Sequence, residues 1–317
     1  MLISVAIPCY KSEKTITGVV NEIKEAILAR EGNDYQIILV NDYPNDNTFE
    51  VIRELCREDS KVIGVNLSKN YGQNSAKLAA IPYFTGDVLV YMDDDGQHPA
   101  DAIYRLVDKI QEGYDGVYAH FPNKSHSAFK KFTSNVNSKM MEINGTKPKN
   151  LHISSFCAYS KTAAMSLINY KSPFPSIGGF LGTVVSNYTE IDVEHRKRAV
   201  GSSNYTLGRL LKLWLNVFTN FSVVPLRIAA FSGVFFALCG FVYGIIIIVK
   251  KLIYPEITAG FTTGIALQLF IGGIIMILLG LIGEYIGRIY MTISNMPQYT
   301  VREEINAENK NNILINQ

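Results

Sequence analysis

Two stretches toward the C-terminal end of the chain leave it little choice of environment. Ile228 to Val249 reads IAAFSGVFFALCGFVYGIIIIV, and Ile257 to Gly283 is a second run; neither contains a charged residue. Each exceeds the roughly 20 apolar residues that a helix needs to cross a bilayer core. A small domain has no interior able to hide two such lengths, so the pair predicts two membrane spans. The connection from Lys250 to Glu256 is short, which makes them a hairpin with both long flanks on one side. Arg196, Lys197, Arg198, Arg209, Lys212 and Arg227 before the first span, and Arg288 after the second, favour the cytoplasm for those flanks. Lys250 and Lys251 in the connection pull the other way.

The segment before the first span is amphipathic. Leu207, Leu210, Leu211, Trp214, Phe218 and Phe221 recur at helical spacing, with Arg209, Lys212 and Asn216 opposite. Such a helix over 205–227 can lie in the headgroup layer or pack on the protein's own sheet, and the first reading is preferred. The expected division is therefore a cytoplasmic domain over 1–204, an interface helix over 205–227, spans over 228–250 and 257–287, and a polar cytoplasmic tail over 288–317. The glycine pairs Gly240/Gly244 and Gly283/Gly287 allow close helix contact.

Up to residue 195 the pattern changes. Short apolar runs at 3–10, 35–42, 62–68, 88–95 and 116–120 alternate with amphipathic segments near 14–30, 46–58, 73–83 and 99–111. That rhythm predicts an α/β fold, a mostly parallel sheet with helices on both faces. Such sheets bind ligands outside the carboxyl ends of their strands. Polar residues gather at those ends: Pro8-Cys9-Tyr10, Asn41-Asp42, Ser68-Lys69-Asn70 and Asp93-Asp94-Asp95. The N-terminus runs straight into the first strand with no basic region or cleavage site, so no signal peptide is expected. Net charge is +2, too small for a nucleic-acid partner. Cys9, Cys56, Cys157 and Cys239 are scattered, without CxxC or histidine at metal-ligand spacing, and are expected to be buried thiols.

The segment Tyr91-Met92-Asp93-Asp94-Asp95-Gly96-Gln97-His98-Pro99 carries the chemistry. Three adjacent carboxylates at a strand end repel one another, and a cation relieves them. Asp93 and Asp95 can both turn toward one hard divalent ion, Mg or Mn, with Gln97 adding a neutral oxygen. An ion bridging a diphosphate neutralises the charge of a departing nucleotide. A single acidic helix cap would need only one oxygen, and Pro99 with Asp101 already suits the first turn. There is no GxGxxG after the first strand and no GxxxxGK[ST], which argues against dinucleotide oxidoreductases and P-loop NTPases.

The segments IPCYKSE, VNDYPNDNT, NLSKNYGQNSA, GDVLVYMDDDGQHP and HRKRAVGSSNY, followed by two spans, resemble the family 2 glycosyltransferases of the GT-A, Rossmann-like fold. Within them the chain is most similar to the branch that loads a sugar onto a polyprenyl phosphate, dolichyl or undecaprenyl. The resemblance covers nearly the whole chain. It implies that Pro8, Tyr10 and Glu13 form the first nucleotide-contacting loop. Asp42 would read the base, with Asp46 and Thr48 completing its loop, and Lys69, Gly72, Gln73 and Asp94 would join the nucleotide-sugar site. Asp93, Asp95 and Gln97 match the metal-binding pattern, with Asp94 where a small residue is usual. Arg198, Gly201, Ser203 and Tyr205 resemble the motif that closes on phosphates at the membrane edge, where the arginine fork takes two oxygens. The implied partners are a nucleotide-sugar and a polyprenyl phosphate, with self-association left open.

Two segments depart from the family pattern. Ser154-Ser155-Phe156-Cys157 stands where many relatives carry an acidic residue before Phe-Arg, and Asn123-Lys124-Ser125-His126 replaces an arginine-bearing loop. An alcohol acceptor requires a base, whereas a phosphate monoester is already ionised at neutral pH, so the missing carboxylate favours a phosphate acceptor. A polymerising synthase would need more spans and a QxxRW motif, while the only tryptophan is Trp214. A non-catalytic nucleotide-sugar scaffold would gain nothing from the repulsive Asp93/Asp95 pair. His98 and His126 could touch a substrate, but the preferred expectation is that they are solvated turn residues.

Overall fold

The computed structural model describes residues 1–122, 139, 142, 151–194, 196, 224–254, 261–294 and 296–307. They form two units, 1–213 with 297–317, and 214–296.

The first unit is built on an eight-stranded sheet. Its strands are β1 (Leu2–Cys9), β2 (Asp34–Asn41), β3 (Val62–Leu67), β4 (Val88–Tyr91), β5 (Gly116–His120), β6 (Cys157–Ser160), β7 (Tyr188–Asp192) and β8 (Val301–Ile305). They lie in the order β7-β5-β6-β4-β1-β2-β3-β8. Four neighbouring pairs are parallel and three antiparallel, so the sheet is mixed where the sequence pattern predicts a mostly parallel one. The antiparallel pairs all involve β6 or β8, two short strands that the alternation of runs and helices does not reveal. The central strands are buried on both faces. From Ile3 to Cys9 no residue of β1 is exposed, hence its continuous apolar run rather than an alternating one.

Helices α1 (Ile16–Leu28), α2 (Thr48–Glu58), α3 (Gln73–Ala79) and α4 (Ala102–Gln111) connect the strands. Helices α1, α2 and α4 each turn one stripe to the sheet: in α1 it is Ile16, Val19, Val20, Ile23 and Ile27, at i, i+3, i+4, i+7 spacing. Two shorter helices, α5 (Lys161–Ser166) and α6 (Ile177–Val184), follow β6. The parallel strands β4, β1, β2 and β3 all deliver their carboxyl ends to the same edge, which fixes where a ligand can sit.

Residues 301–305, within the stretch over 288–317 expected as a polar tail, return to this sheet. Val301–Ile305 pairs antiparallel with β3, and its alternating half-exposed pattern suits an edge strand. Arg53 clamps Glu303 at 2.6 Å, and Tyr83 donates to Glu304 at 2.5 Å. Asn306, at φ 56°, donates to the carbonyls of Cys56 and Val62 at 2.7 and 2.9 Å.

The second unit contains α7 (Val224–Ile253) and α8 (Phe261–Ile293). Both are long and apolar enough to cross a membrane, over Leu226–Lys250 and Phe270–Ile293. The helices run past the limits expected at 228, 250 and 287, because helical hydrogen bonding continues through polar ends that a charge-free window excludes. Cys239 is exposed on α7, unlike the buried Cys9, Cys56 and Cys157. The expected interface helix lies outside the described residues over 205–223.

Candidate active site

The crevice is assembled by hydrogen bonds between neighbouring strand ends. After β1 the chain turns through Lys11, a non-glycine residue at φ 58°. Backbone strain of this kind persists where surrounding contacts over-determine it. Here the Tyr10 amide donates to Ser12 Oγ at 2.9 Å and to Asp94 Oδ2 at 2.8 Å, and Ser12 Oγ donates to the same Asp94 oxygen. The Ser12 amide donates to Thr48 Oγ1 at 2.9 Å, while Asp46 accepts from both the amide and the hydroxyl of Thr48. The loops after β1, β2 and β4 are thereby one network. Tyr10, 48% exposed, meets Tyr43 edge to face at 5.0 Å, with Lys11 Nζ 4.9 Å from the Tyr43 ring centre. Glu13 is half-buried in the same loop, and Pro8 is paired with Val40 inside the sheet.

Asp42 directly follows β2 and is buried. Its two oxygens accept from the backbone amides of Tyr71 at 2.7 Å and Gly72 at 2.8 Å. Those amides are free to turn inward because Gly72 adopts φ 90°, a region closed to most side chains. Burial pushes the Asp42 carboxyl up to about 6, against the two amides that favour its charge. Lys69 lies 5.1 Å from the Tyr71 ring centre in the same loop.

The acidic triplet divides by direction. Asp94, expected among the donor-binding residues, turns onto the β1 loop and bridges it to β4, and burial raises its carboxyl to about 6. Asp93 accepts from Gln73 Nε2 at 2.8 Å on one oxygen and from Ser155 Oγ at 2.6 Å on the other. Asp95 accepts from the Gln97 amide at 3.1 Å, closing a turn through Gly96 at φ 72°. Asp93, Asp95 and Gln97 are thus half-exposed oxygen donors on one turn, a set that suits a hard divalent cation. Arg196 reaches this turn: its amide donates to the Gln97 carbonyl at 3.2 Å and its guanidinium meets Glu22 at 2.8 Å. Arg198, Gly201, Ser203, Tyr205 and His126 lie outside the described residues.

Three groups here escape sequence reasoning. His98, expected to be solvated, is 3% exposed and stacks between Phe121 and Phe156 at 5.6 and 4.9 Å. Its Nδ1 accepts from the Asp93 amide at 3.1 Å, so it supports the β4 end from below. Lys77 is 7% exposed, 5.1 Å from the Tyr91 ring centre, and donates to the Ser155 carbonyl at 3.1 Å. Ser155 passes that restraint on to Asp93. Phe156 follows Ser155 directly, but its stacking partner His98 lies on the turn after β4, distant in the chain. Burial raises the thiols of Cys9 and Cys157, which excludes them as nucleophiles at neutral pH.

The fold resembles that of mannosyl-3-phosphoglycerate synthase from Rubrobacter xylanophilus, with a TM-score of 0.49, 15% identity and coverage of 72% of this chain and 74% of that one. A glycosyltransferase of Bacillus subtilis, YkcC, is 30% identical across 97% of this chain and 95% of its own length. The undecaprenyl-phosphate 4-deoxy-4-formamido-L-arabinose transferase of Yersinia pestis is 32% identical across 98% and 95%. Residues 224–289 match the GtrB C-terminal hairpin, and residues 4–167 match glycosyl transferase family 2. With over half its length in that match, a crevice at the carboxyl ends of β4, β1, β2 and β3, and a paired apolar hairpin, the chain belongs to glycosyl transferase family 2 and is a glycosyltransferase.

Proposed function

We propose that this glycosyltransferase moves a sugar, with inversion, from a nucleoside diphosphate to an undecaprenyl-type polyprenyl phosphate at the cytoplasmic leaflet of the inner membrane. The carrying observation is Ser155. Where an alcohol-glycosylating enzyme would hold a carboxylate base, a serine hydroxyl donates to Asp93 instead. An acceptor that arrives ionised, a phosphate monoester, needs no such base. The Yersinia relative acts, by its name, on undecaprenyl phosphate, and the spanning helices suit a lipid acceptor.

Asp93, Asp95 and Gln97 would hold Mg or Mn, which neutralises charge on the leaving diphosphate. Gln73 and Ser155 fix the Asp93 carboxylate on both oxygens, so little reorganisation is left for the moment of reaction. Tyr10, Tyr43 and the Asp42-bound Gly72 loop shape the wall for the base and ribose, with Glu13, Asp46 and Lys69 around it. Asp94 acts by joining the loops. Arg198, Ser203 and Tyr205 would meet the phosphates. The catalytic domain, 1–204 with the strand from 301–305, and the segment over 205–227 face the cytoplasm.

The test compares undecaprenyl phosphate, undecaprenol and a soluble sugar as acceptors, with a panel of nucleotide-sugars, the product identified by mass spectrometry. Transfer to the phosphate alone is expected. Equal rates with undecaprenol would refute the phosphate-acceptor mechanism.

A further inference from the structure

A second cluster of metal-ligating groups stands at the carboxyl ends of β5 and β7. His120 and Asp192 are partners in the parallel register, and Glu190 lies two residues before Asp192 on the same face. His152 enters from the segment leading to β6. One ligand atom each from His120, His152 and Glu190 lies within 4.8 Å of the other two. The two imidazoles stack with centres 4.2 Å apart and 27° between planes. With neutral imidazoles the four groups sum to two negative charges, which a divalent ion balances.

The distances separate two roles. His120 Nδ1 and Asp192 Oδ1 are 2.7 Å apart, a charge-assisted hydrogen bond. A carboxylate that accepts the Nδ1–H hydrogen bond leaves the Nε2 lone pair for a metal, the arrangement that orients metal-bound histidines. His152 Nδ1 and the Glu190 oxygens are 3.1 and 3.3 Å apart, wider than that bond. Bonds of about 2.0–2.1 Å around a tetrahedral Zn²⁺ place neighbouring ligand atoms about 3.3 Å apart. The His152 amide meanwhile donates to Glu190 Oε2 at 2.7 Å, holding the carboxylate in place.

We infer that His120, His152 and Glu190 form a Zn²⁺ site, oriented by Asp192 and separate from the oxygen-donor turn of Asp93, Asp95 and Gln97. Nitrogen-bearing ligands select a borderline ion such as Zn²⁺ over Mg²⁺. Three protein ligands leave the fourth position open. The metal ties the chain at 152 to the ends of β5 and β7. Three residues on, Ser155 grips Asp93, and beside His120 the Phe121 ring stacks on His98. Occupancy thus steadies the neighbouring catalytic turn without touching substrate.

The test uses the metal-stripped, full-length protein in detergent, titrated with Zn²⁺ by calorimetry in saturating Mg²⁺. Co²⁺ substitution reports four-coordinate geometry by visible absorption. One equivalent of Zn²⁺ is expected in the wild type and in Asp93→Asn. His152→Ala should lose it, as should Glu190→Gln, whose amide oxygen still accepts the His152 N–H and preserves the fold. Asp192→Asn should weaken binding by about 10- to 100-fold. Zn²⁺ uptake unchanged in both His152→Ala and Glu190→Gln, or absent from the wild type, overturns the site.

Discussion

Asp42→Asn separates the cost of a buried charge from the value of its hydrogen bonds. In the folded protein the Asp42 carboxyl titrates at about 6, raised chiefly by burial, and in an unfolded chain at about 3.9. At about 1.4 kcal/mol per pH unit, holding it ionised in the fold costs about 3 kcal/mol. The folded state binds this proton more tightly than the unfolded state. Its contribution to stability is therefore greatest below about pH 4, falls as pH rises toward about 6, and is level above that. Asparagine has no such slope. It does carry a fixed penalty, because its NH₂ must face one of the two amide donors, Tyr71 or Gly72, that the carboxylate accepts. Leaving one buried donor unmatched costs about 1–3 kcal/mol at every pH. The variant should be less stable than wild type at pH 4, and between parity and about 2 kcal/mol more stable at pH 7. For a domain of this size about 3 kcal/mol corresponds to roughly 6–12 °C in Tm. Near-UV circular dichroism melts of the detergent-solubilised proteins from pH 4 to 7.5 read the difference, and groups common to both proteins cancel. Parallel Tm curves would show that Asp42 is not buried as a charge and would refute the reasoning.

Lys77→Met should raise the half-saturating Mn²⁺ concentration several-fold with little change in Tm, since it frees the Ser155 carbonyl and, through it, Asp93; an unchanged metal requirement in rate assays counts against that chain of contacts. Asp95→Asn should lower kcat on the order of a hundredfold, and chelation should stop turnover, whereas full activity in chelator would sink the cation site. Gly86→Ala should destabilise severely, because a Cβ there would meet Ser4 Oγ at 2.5 Å and the Leu2 carbonyl at 2.9 Å; a Tm within 2 °C of wild type, about 1 kcal/mol, would refute the close approach. For topology, a cysteine at 254 should be labelled from outside intact cells and one at 302, exposed on β8, should not.

The parts of this molecule that are readable from sequence are those written in local periodicity. The runs ending at Tyr10, Asp42, Ser68 and Asp95 predict four strand ends, and the structure brings all four to one edge of the sheet. The membrane helices are legible for the same reason, a composition sustained over many residues. What escapes is set by partners distant in the chain. His98 resembles a turn residue until Phe121 and Phe156 close on it. Asp94 stands apart from Asp93 and Asp95 in the metal pattern, but the Tyr10 amide and the Ser12 hydroxyl that turn it inward lie 84 and 82 residues away. Ser155 is visible as a departure from the family pattern, but not as a donor to Asp93. VREEI at 301–305 puts three charged residues in a row, so its sequence shows no strand periodicity and nothing in it points to β3 as a partner.

That last strand sets an order of events for the nascent chain. The edge of β3 is covered by residues 301–305, which emerge from the ribosome only after both long apolar helices. Until then β3 presents unpaired amides and carbonyls, a surface open to pairing with another chain. Completion of the sheet therefore follows synthesis of the hairpin. Cutting the chain before the first span, the obvious route to a water-soluble fragment, would remove the strand along with the anchor. It would also remove the Arg53–Glu303 clamp and the Asn306 bonds that close the α2–β3 turn. A fragment designed for solubility would have to splice 297–307 back on, through a linker that takes the place of the helices.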